Sequence, residues 1–312
     1  MSQKADYLIV GQGIAGSVLA WTLHRRGYRV LILNDPSLPS ASAASAGIFN
    51  PLTGKKLHLT WLADTLFPIA QKFYEDVSVF FGECLIHQTD IYRPFRSIAE
   101  QNDYLAQTAE PFVGKYIAES TDNQRFAASI QNPYGGLQIT GSGWVDCQKL
   151  LQKIRGFFEE KSQYIKGKVD YHQFDLQFDK VFYGDIEVKK VLFCEGYEAR
   201  QNPFFGWLPF NPVKGQSLIV QLEDYHLEEI INQGTFVQPL NNNGLCRLGA
   251  TYTWNDIVWK TTDDAREFLV EKVKTFLKKP YQILEQQVGV RPATKDRRPL
   301  IGLHPQHRQL GI

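Results

Sequence analysis

The sequence predicts an α/β protein that opens on a Rossmann-like βαβ unit and carries a second, antiparallel-sheet α+β region. Three observations predict it. The first 34 residues read as strand, glycine-rich turn, helix and strand. The second half alternates short β-rich runs, including a hairpin signal, with helical stretches. The chain has 312 residues, which at roughly 150 residues per domain makes about two domains, enough to bury a core.

The elements follow in order. Tyr7-Leu8-Ile9-Val10 is an apolar run of strand length that leads into Gly11-Gln12-Gly13-Ile14-Ala15-Gly16. Ile14, Val18, Trp21 and His24/Arg25 then recur at helical spacing, and Arg25-Arg26-Gly27 supplies a basic last turn and a glycine stop. Tyr28 to Asn34 is the second strand. This is the context a GxGxxG motif requires. Gly11 makes the tight turn, Gly13 lets backbone approach a pyrophosphate, and Gly16 lets helix and strand pack closely. The helix N-terminus then offers N–H groups to phosphate. Where the motif expects an acid for the ribose hydroxyls, the chain has Asn34, followed by Asp35. The motif alone leaves NAD, NADP and FAD open.

Ser40 to Pro51 is rich in small residues, with Gly47 among them, and suits backbone lying against a flat group. Gly143-Trp144-Val145-Asp146 introduces a helix carrying Leu150, Leu151 and Ile154, and Val188 to Cys194 forms a strand ending at Glu195-Gly196. Pro212-Val213-Lys214-Gly215-Gln216 opens a strand to Leu222. Thr235–Leu240 and Leu245–Thr251 flank Asn241 to Gly244 as a hairpin. A charged helix, Asp263 to Lys279, precedes a last strand through Gln286 to Val290.

Composition narrows the function. Lys+Arg 34 against Asp+Glu 33 leaves a net charge of +1, so no basic field announces nucleic acid or an anionic membrane. No apolar run approaches the ~18 residues of a membrane span. Cys84, Cys147, Cys194 and Cys246 are far apart and form no CxxC, so they read as reduced, buried and inert, with no metal site expected. Met1 to Asp6 shows no signal-peptide pattern, and the expected location is cytoplasmic.

Taken together, the Gly11–Gly16 unit, Ala46-Gly47-Ile48, Gly143-Trp144-Val145-Asp146, Pro212-Val213-Lys214-Gly215-Gln216, Gly249-Ala250-Thr251 and Gly289-Val290-Arg291-Pro292 occur in a telling order. With Asp296, Pro299 and Gly302 they extend over nearly the whole chain. The sequence thereby resembles the D-amino-acid-oxidase-like family of FAD-dependent oxidoreductases, the glycine oxidase and sarcosine oxidase type. The resemblance implies a Rossmann-like FAD-binding domain (1–82, 141–206 and 286–312) interleaved with an antiparallel-sheet substrate domain (83–140 and 207–285). It implies FAD as cofactor and oxidation of the C–N bond of an amine, an amino acid above all, by hydride transfer to the flavin. A tRNA-modifying oxidoreductase of the same chemistry and a flavin-binding module without turnover are the rival readings.

Residue by residue, the resemblance places Gly11, Gly13, Ile14, Ala15 and Gly16 at the pyrophosphate and Asn34 and Asp35 at the adenosine ribose. Ser42, Ala46, Gly47 and Ile48 run past the flavin. Val169, in an expected Lys168-Val169 strand, clamps the adenine. Arg291 pairs with a substrate carboxylate, with Phe236 and Tyr252 lining the pocket. A guanidinium suits that role because it binds carboxylate through two parallel hydrogen bonds. Two positions depart from the family pattern. Phe236 replaces a tyrosine, and Glu195 stands where a small residue is usual, either exposed or paired. His58 is read as a surface or satisfied histidine rather than a base. The resembled family continues past this last strand into a glycine-rich turn and a final helix. The expectation is therefore that the FAD domain lacks its last element after Leu310-Gly311-Ile312 and holds FAD weakly.

Overall fold

The apolar end of the first strand, Gln3–Val10, is fully buried over its last three residues, as a parallel strand covered on both faces must be. The computed structural model describes residues 3–54 and 56–312. Gln3–Val10 pairs in parallel with Val30–Asn34 on one side and Ile186–Phe193 on the other. Tyr164–Lys166 extends the sheet beyond Val30–Asn34, again in parallel. The antiparallel strands Val181–Tyr183 and Phe174–Leu176 extend it beyond the first half of Ile186–Phe193. Leu310–Gly311 pairs in parallel with Val191 and Leu192 in the second half.

Helix Ile14–Arg25 joins the first two strands, and helix Cys147–Glu160 packs beside it. The Asp146 carboxylate caps the second helix, accepting the Lys149 N–H at 2.9 Å. Leu150, Leu151, Ile154 and Phe158 form its buried stripe. With Ile9, Ala20, Trp21, Val30 and Ile32, most of that stripe makes the core on one face of the sheet. Leu8, Leu31, Val191 and Phe193 face the opposite way onto Phe174, Phe204 and Phe205.

The second sheet has seven strands in the order Tyr281–Arg291, Val213–Leu222, Leu245–Gly249, Phe236–Pro239, Ile230–Asn232, Ile91–Pro94 and Gly136–Ile139. All pairs are antiparallel except Ile230–Asn232 with Ile91–Pro94. Helix Asp263–Lys274, capped by the Thr262 hydroxyl, buries Leu269 and Val273 against Leu218, Val220 and Leu248. A three-stranded sheet of Ile48–Phe49, Gly143–Val145 and Ile86–Gln88 is the third sheet of the fold. The architecture is thus the expected one, a Rossmann-like α/β region interleaved along the chain with an antiparallel α+β region.

Several local expectations need correction. The charged helix ends at Lys274, not Lys279, because the chain turns at Thr275 so that the Phe276 carbonyl accepts the Gln131 N–H and the Lys278 N–H donates to the Ser129 carbonyl. The last long strand begins at Tyr281, just after Pro280, not at Gln286. It is continuous across residue 286, so a domain boundary drawn there would cut a strand. Lys168 and Val169 are not a strand: the strand is Tyr164–Lys166, and Val169 lies in the segment after it, packed near Tyr171 and Phe174. Cys84 is exposed rather than buried. The other cysteines fit the inert reading, since burial pushes the thiol of Cys147 up to about 11 and those of Cys194 and Cys246 up to about 12.

Candidate active site

Gly11 has φ +95°, a conformation that favours glycine, and a Cβ there would stand 2.5 Å from the Cys194 carbonyl oxygen. A Cβ at Gly16 would run into the Gly11 carbonyl. The two glycines therefore let strand, turn and helix close on one another. Gly13 is the N-cap and offers no side chain, so the helix start stays open. The Ile14 N–H donates to the Ser42 hydroxyl at 3.0 Å, while the N–H groups of Ala15 and Gly16 have no partner among the described residues. Ser42 thus closes part of the helix N-terminus from the next loop.

Asn34 is tied into the glycine turn itself. Its amide oxygen accepts the Gln12 N–H at 2.9 Å and its amide nitrogen donates to the Tyr164 hydroxyl at 2.9 Å. It holds the glycine turn with one lone pair of its oxygen and one hydrogen of its nitrogen. Asp35 is the available acid: one oxygen accepts from Ser37 and the other is unpaired. The Ser37 hydroxyl holds the Asp35 carboxyl below its ordinary value. Glu195 is paired, not exposed. Its carboxylate accepts from the Tyr171 hydroxyl and the Asn202 amide, both at 2.6 Å, while burial pushes its pKa up.

The Ser40–Gly47 loop lies against one face of the antiparallel sheet. Gly215 and Gly289 are paired across neighbouring strands, and Ser217 pairs with Gly249 two residues along. A Cβ on Gly289 would reach Ala44 and Ala41 at 3.4 and 3.6 Å, and one on Gly249 would be 2.8 Å from the Phe236 ring. This is a flat glycine patch between the loop and the sheet. Arg291 lies over its edge, since a Cβ on Gly215 would be 2.5 Å from the Arg291 Nη1. The guanidinium carbon is 5.6 Å from the Tyr252 ring centre, and Trp254 packs edge-on to Tyr252 at 4.9 Å. Among the described residues, no carboxylate pairs with Arg291. Desolvation by the surrounding sheet lowers its pKa and Tyr252 opposes the shift, yet a guanidinium stays charged.

The structure therefore brings Arg291 and Tyr252 together and sets Phe236 beside the same patch. Val169 is remote from these three, on the Tyr171 side. His58 is exposed on the two-residue strand His58–Leu59. Three residues escaped the sequence reading: Trp254, Gln238 and Arg247. The last two are almost wholly buried polar groups in the hairpin, facing the Ser40–Gly47 loop.

A family model described as FAD dependent oxidoreductase matches residues 6–311. The chain belongs to that family, the DAO family. It is 25% identical over 97% of its length to a tRNA 5-methylaminomethyl-2-thiouridine biosynthesis bifunctional protein of Marinobacter nauticus, of which it covers 50%. It is 23% identical over 96% of its length to the protein of the same name from Legionella pneumophila strain Corby, covering 45% of it. The chain thus spans about half the length of the curated relatives it matches. Among solved structures, glycine oxidase from Geobacillus kaustophilus superposes with a TM-score of 0.79 at 18% identity, over 99% of this chain and 88% of that one. L-proline dehydrogenase from P. horikoshii does so with 0.77 at 15%, over 100% and 88%. These two likenesses are likenesses of fold.

The residues fit the family's cofactor. An open helix N-terminus suits a pyrophosphate, and a glycine patch that side chains would fill suits a flat ring. The chain is thus a member of the FAD dependent oxidoreductase family whose residues fit FAD.

Proposed function

We propose that this chain oxidises the C–N bond of a small amine that carries a carboxylate, in the class of glycine, D-amino acids and N-methyl amino acids. The observation that carries the reading is Arg291. It is a guanidinium with no carboxylate partner among the described residues, set over a glycine patch beside Tyr252.

In this reading the open N–H groups of Ala15 and Gly16, with Gly11, Gly13 and Ile14, receive the pyrophosphate. Asp35, beside Asn34, serves the ribose, and Val169 borders the adenine. Ser42, Ala46, Gly47 and Ile48 border the flavin. Bound FAD supplies the two-electron acceptor. Arg291 fixes the substrate carboxylate through two parallel hydrogen bonds and so orients the carbon to be oxidised. Phe236 and Tyr252 wall the pocket against water. Phe236 brings no hydroxyl to the carboxylate, which leaves that contact to Arg291. The amine must arrive with a free lone pair, because Arg291 and Phe236 offer no base and Tyr252 only a phenol.

Anaerobic mixing with a panel of glycine, D-amino acids and N-methyl amino acids tests this. At least one carboxylated amine should bleach the flavin absorbance; a panel that leaves it unchanged overturns the reading.

The name of the curated relatives supports a second reading, in which the amine is part of a modified uridine in tRNA. A carboxymethylamino group there would present the same C–N bond and carboxylate to Arg291. A net charge of +1 supplies little of the phosphate binding required. Salt-sensitive binding of tRNA would favour this reading over the first.

A further inference from the structure

Arg247 is a charged residue in the middle of an inner strand, and it is 7% exposed. Its Nη1 donates to three neutral oxygens: the Ala44 carbonyl at 3.1 Å, the Ser217 hydroxyl at 3.2 Å and the Gln287 amide at 2.6 Å. Its Nε is buried without a partner among the described residues. No carboxylate lies within ion-pair distance among the described residues. Glu285 is the nearest in effect, reached only through the amide of Gln287, which donates to it at 2.9 Å. Asp146 also acts on Arg247 from a distance, with its carboxylate held at the start of its own helix by the Lys149 N–H. The adjacent thiol of Cys147 is held neutral by burial.

The cross-strand neighbour of Arg247 is Gln238, which is wholly buried. Its amide nitrogen donates to the Ala46 carbonyl at 2.9 Å and its oxygen has no partner. Two side chains in register thus reach across to alternate carbonyls of one loop. That loop has no helix or strand of its own between Ser40 and Gly47.

We propose that Arg247 is a positioning residue for the flavin: with Gln238 it clamps the Ser40–Gly47 loop to the sheet, and its un-neutralised charge favours the reduced over the oxidised ring. A buried guanidinium without an adjacent carboxylate is costly to hold. The same low-dielectric setting makes negative charge placed near it more favourable. A ring that gains two electrons beside the loop is the group whose charge changes. A neutral methionine of similar length removes the charge and the carbonyl bonds, whereas lysine keeps the charge.

This rests on the reading that FAD borders Ser40–Gly47, so the test has an arm that needs no flavin. Elastase, which cuts after small residues, should cleave within Ser40–Gly47 of the apoprotein faster in Arg247→Met than in wild type. Unchanged cleavage overturns the clamp. With FAD in excess, Arg247→Met should weaken binding of reduced FAD tenfold more than that of oxidised FAD. That is a fall of about 30 mV in a two-electron midpoint potential. Arg247→Lys should recover most of it. A midpoint unmoved in Arg247→Met overturns the charge role, whatever the elastase result.

Discussion

At the scale of the residue, two arginines on one sheet face are held for different ends. Arg291 is reachable and has an aromatic ring beside it, whereas Arg247 is sealed under a loop and bonded at Nη1 to neutral oxygens. A charge-assisted bidentate pair contributes ~1.5–3 kcal/mol, or about ten- to a hundredfold in an equilibrium constant. Arg291→Ala should therefore raise KM for carboxylated amines by about that factor. Arg291→Lys should recover part of it, because an ammonium acts as a point charge and not as a fork. An amine without a carboxylate is the control and should show little change. Steady-state kinetics of the two variants decide it: equal KM values for carboxylated substrate would remove Arg291 from the site.

At the scale of the element, the glycine turn works by close approach. Strand Gln3–Val10 can hand over to helix Ile14–Arg25 in three residues only because a bare Gly16 sits on the Gly11 carbonyl. In Gly16→Ala the added methyl meets backbone, so helix and turn must separate. Overpacking of this kind costs ~1–3 kcal/mol. The open N–H groups of the helix would move with it. The expected outcome is a lower Tm together with weakened FAD binding, read by thermal unfolding and by flavin fluorescence. A stable variant that binds FAD normally would show the packing to be slack.

This element was legible in the sequence because its cause is local: a run of apolar residues, three glycines and a helical period lie within 34 positions. The capped helix after Asp146 and the hairpin through Asn241 to Gly244 were legible for the same reason. Helix Ala63–Phe81 was not. It starts from Leu62 at φ +52° with no side-chain cap, and it carries Pro68 inside, where a proline ordinarily breaks a helix. Strand Ile91–Pro94 contains a proline and gains its partners from Gly136–Ile139 and Ile230–Asn232, far along the chain. In the site, Arg291 was marked by the family pattern. Arg247 was hidden by alternation: in Cys246-Arg247-Leu248 the polar position reads as a solvated face, and only the fold lays a loop over it. The tie of Asn34 to the glycine turn was hidden because its partner Tyr164 lies 130 residues away.

At the scale of the whole molecule, interleaving gives the candidate site two walls of separate origin. The glycine turn belongs to the parallel sheet, and the glycine patch with Arg291 belongs to the antiparallel one. The Ser40–Gly47 loop touches both, through Ser42 to Ile14 and through Ala44 and Ala46 to Arg247 and Gln238. In the proposed reading a ligand confined to the pyrophosphate end meets one wall, and FAD meets both. Any ligand that binds only the folded state stabilises it, by about 2.7 kcal/mol at a hundredfold excess over its Kd. For a chain of this size that is a rise in Tm of about 5 °C. The measurement is made with FAD added in excess, so that the folded state is saturated. FAD should then raise Tm in a concentration-dependent way, and by more than ADP at the same concentration, because ADP lacks the ring that the second wall receives. Equal shifts for the two ligands would mean that the sheet face and the loop do not close on the flavin. No shift with either would mean that the open helix N-terminus does not bind a pyrophosphate in this chain.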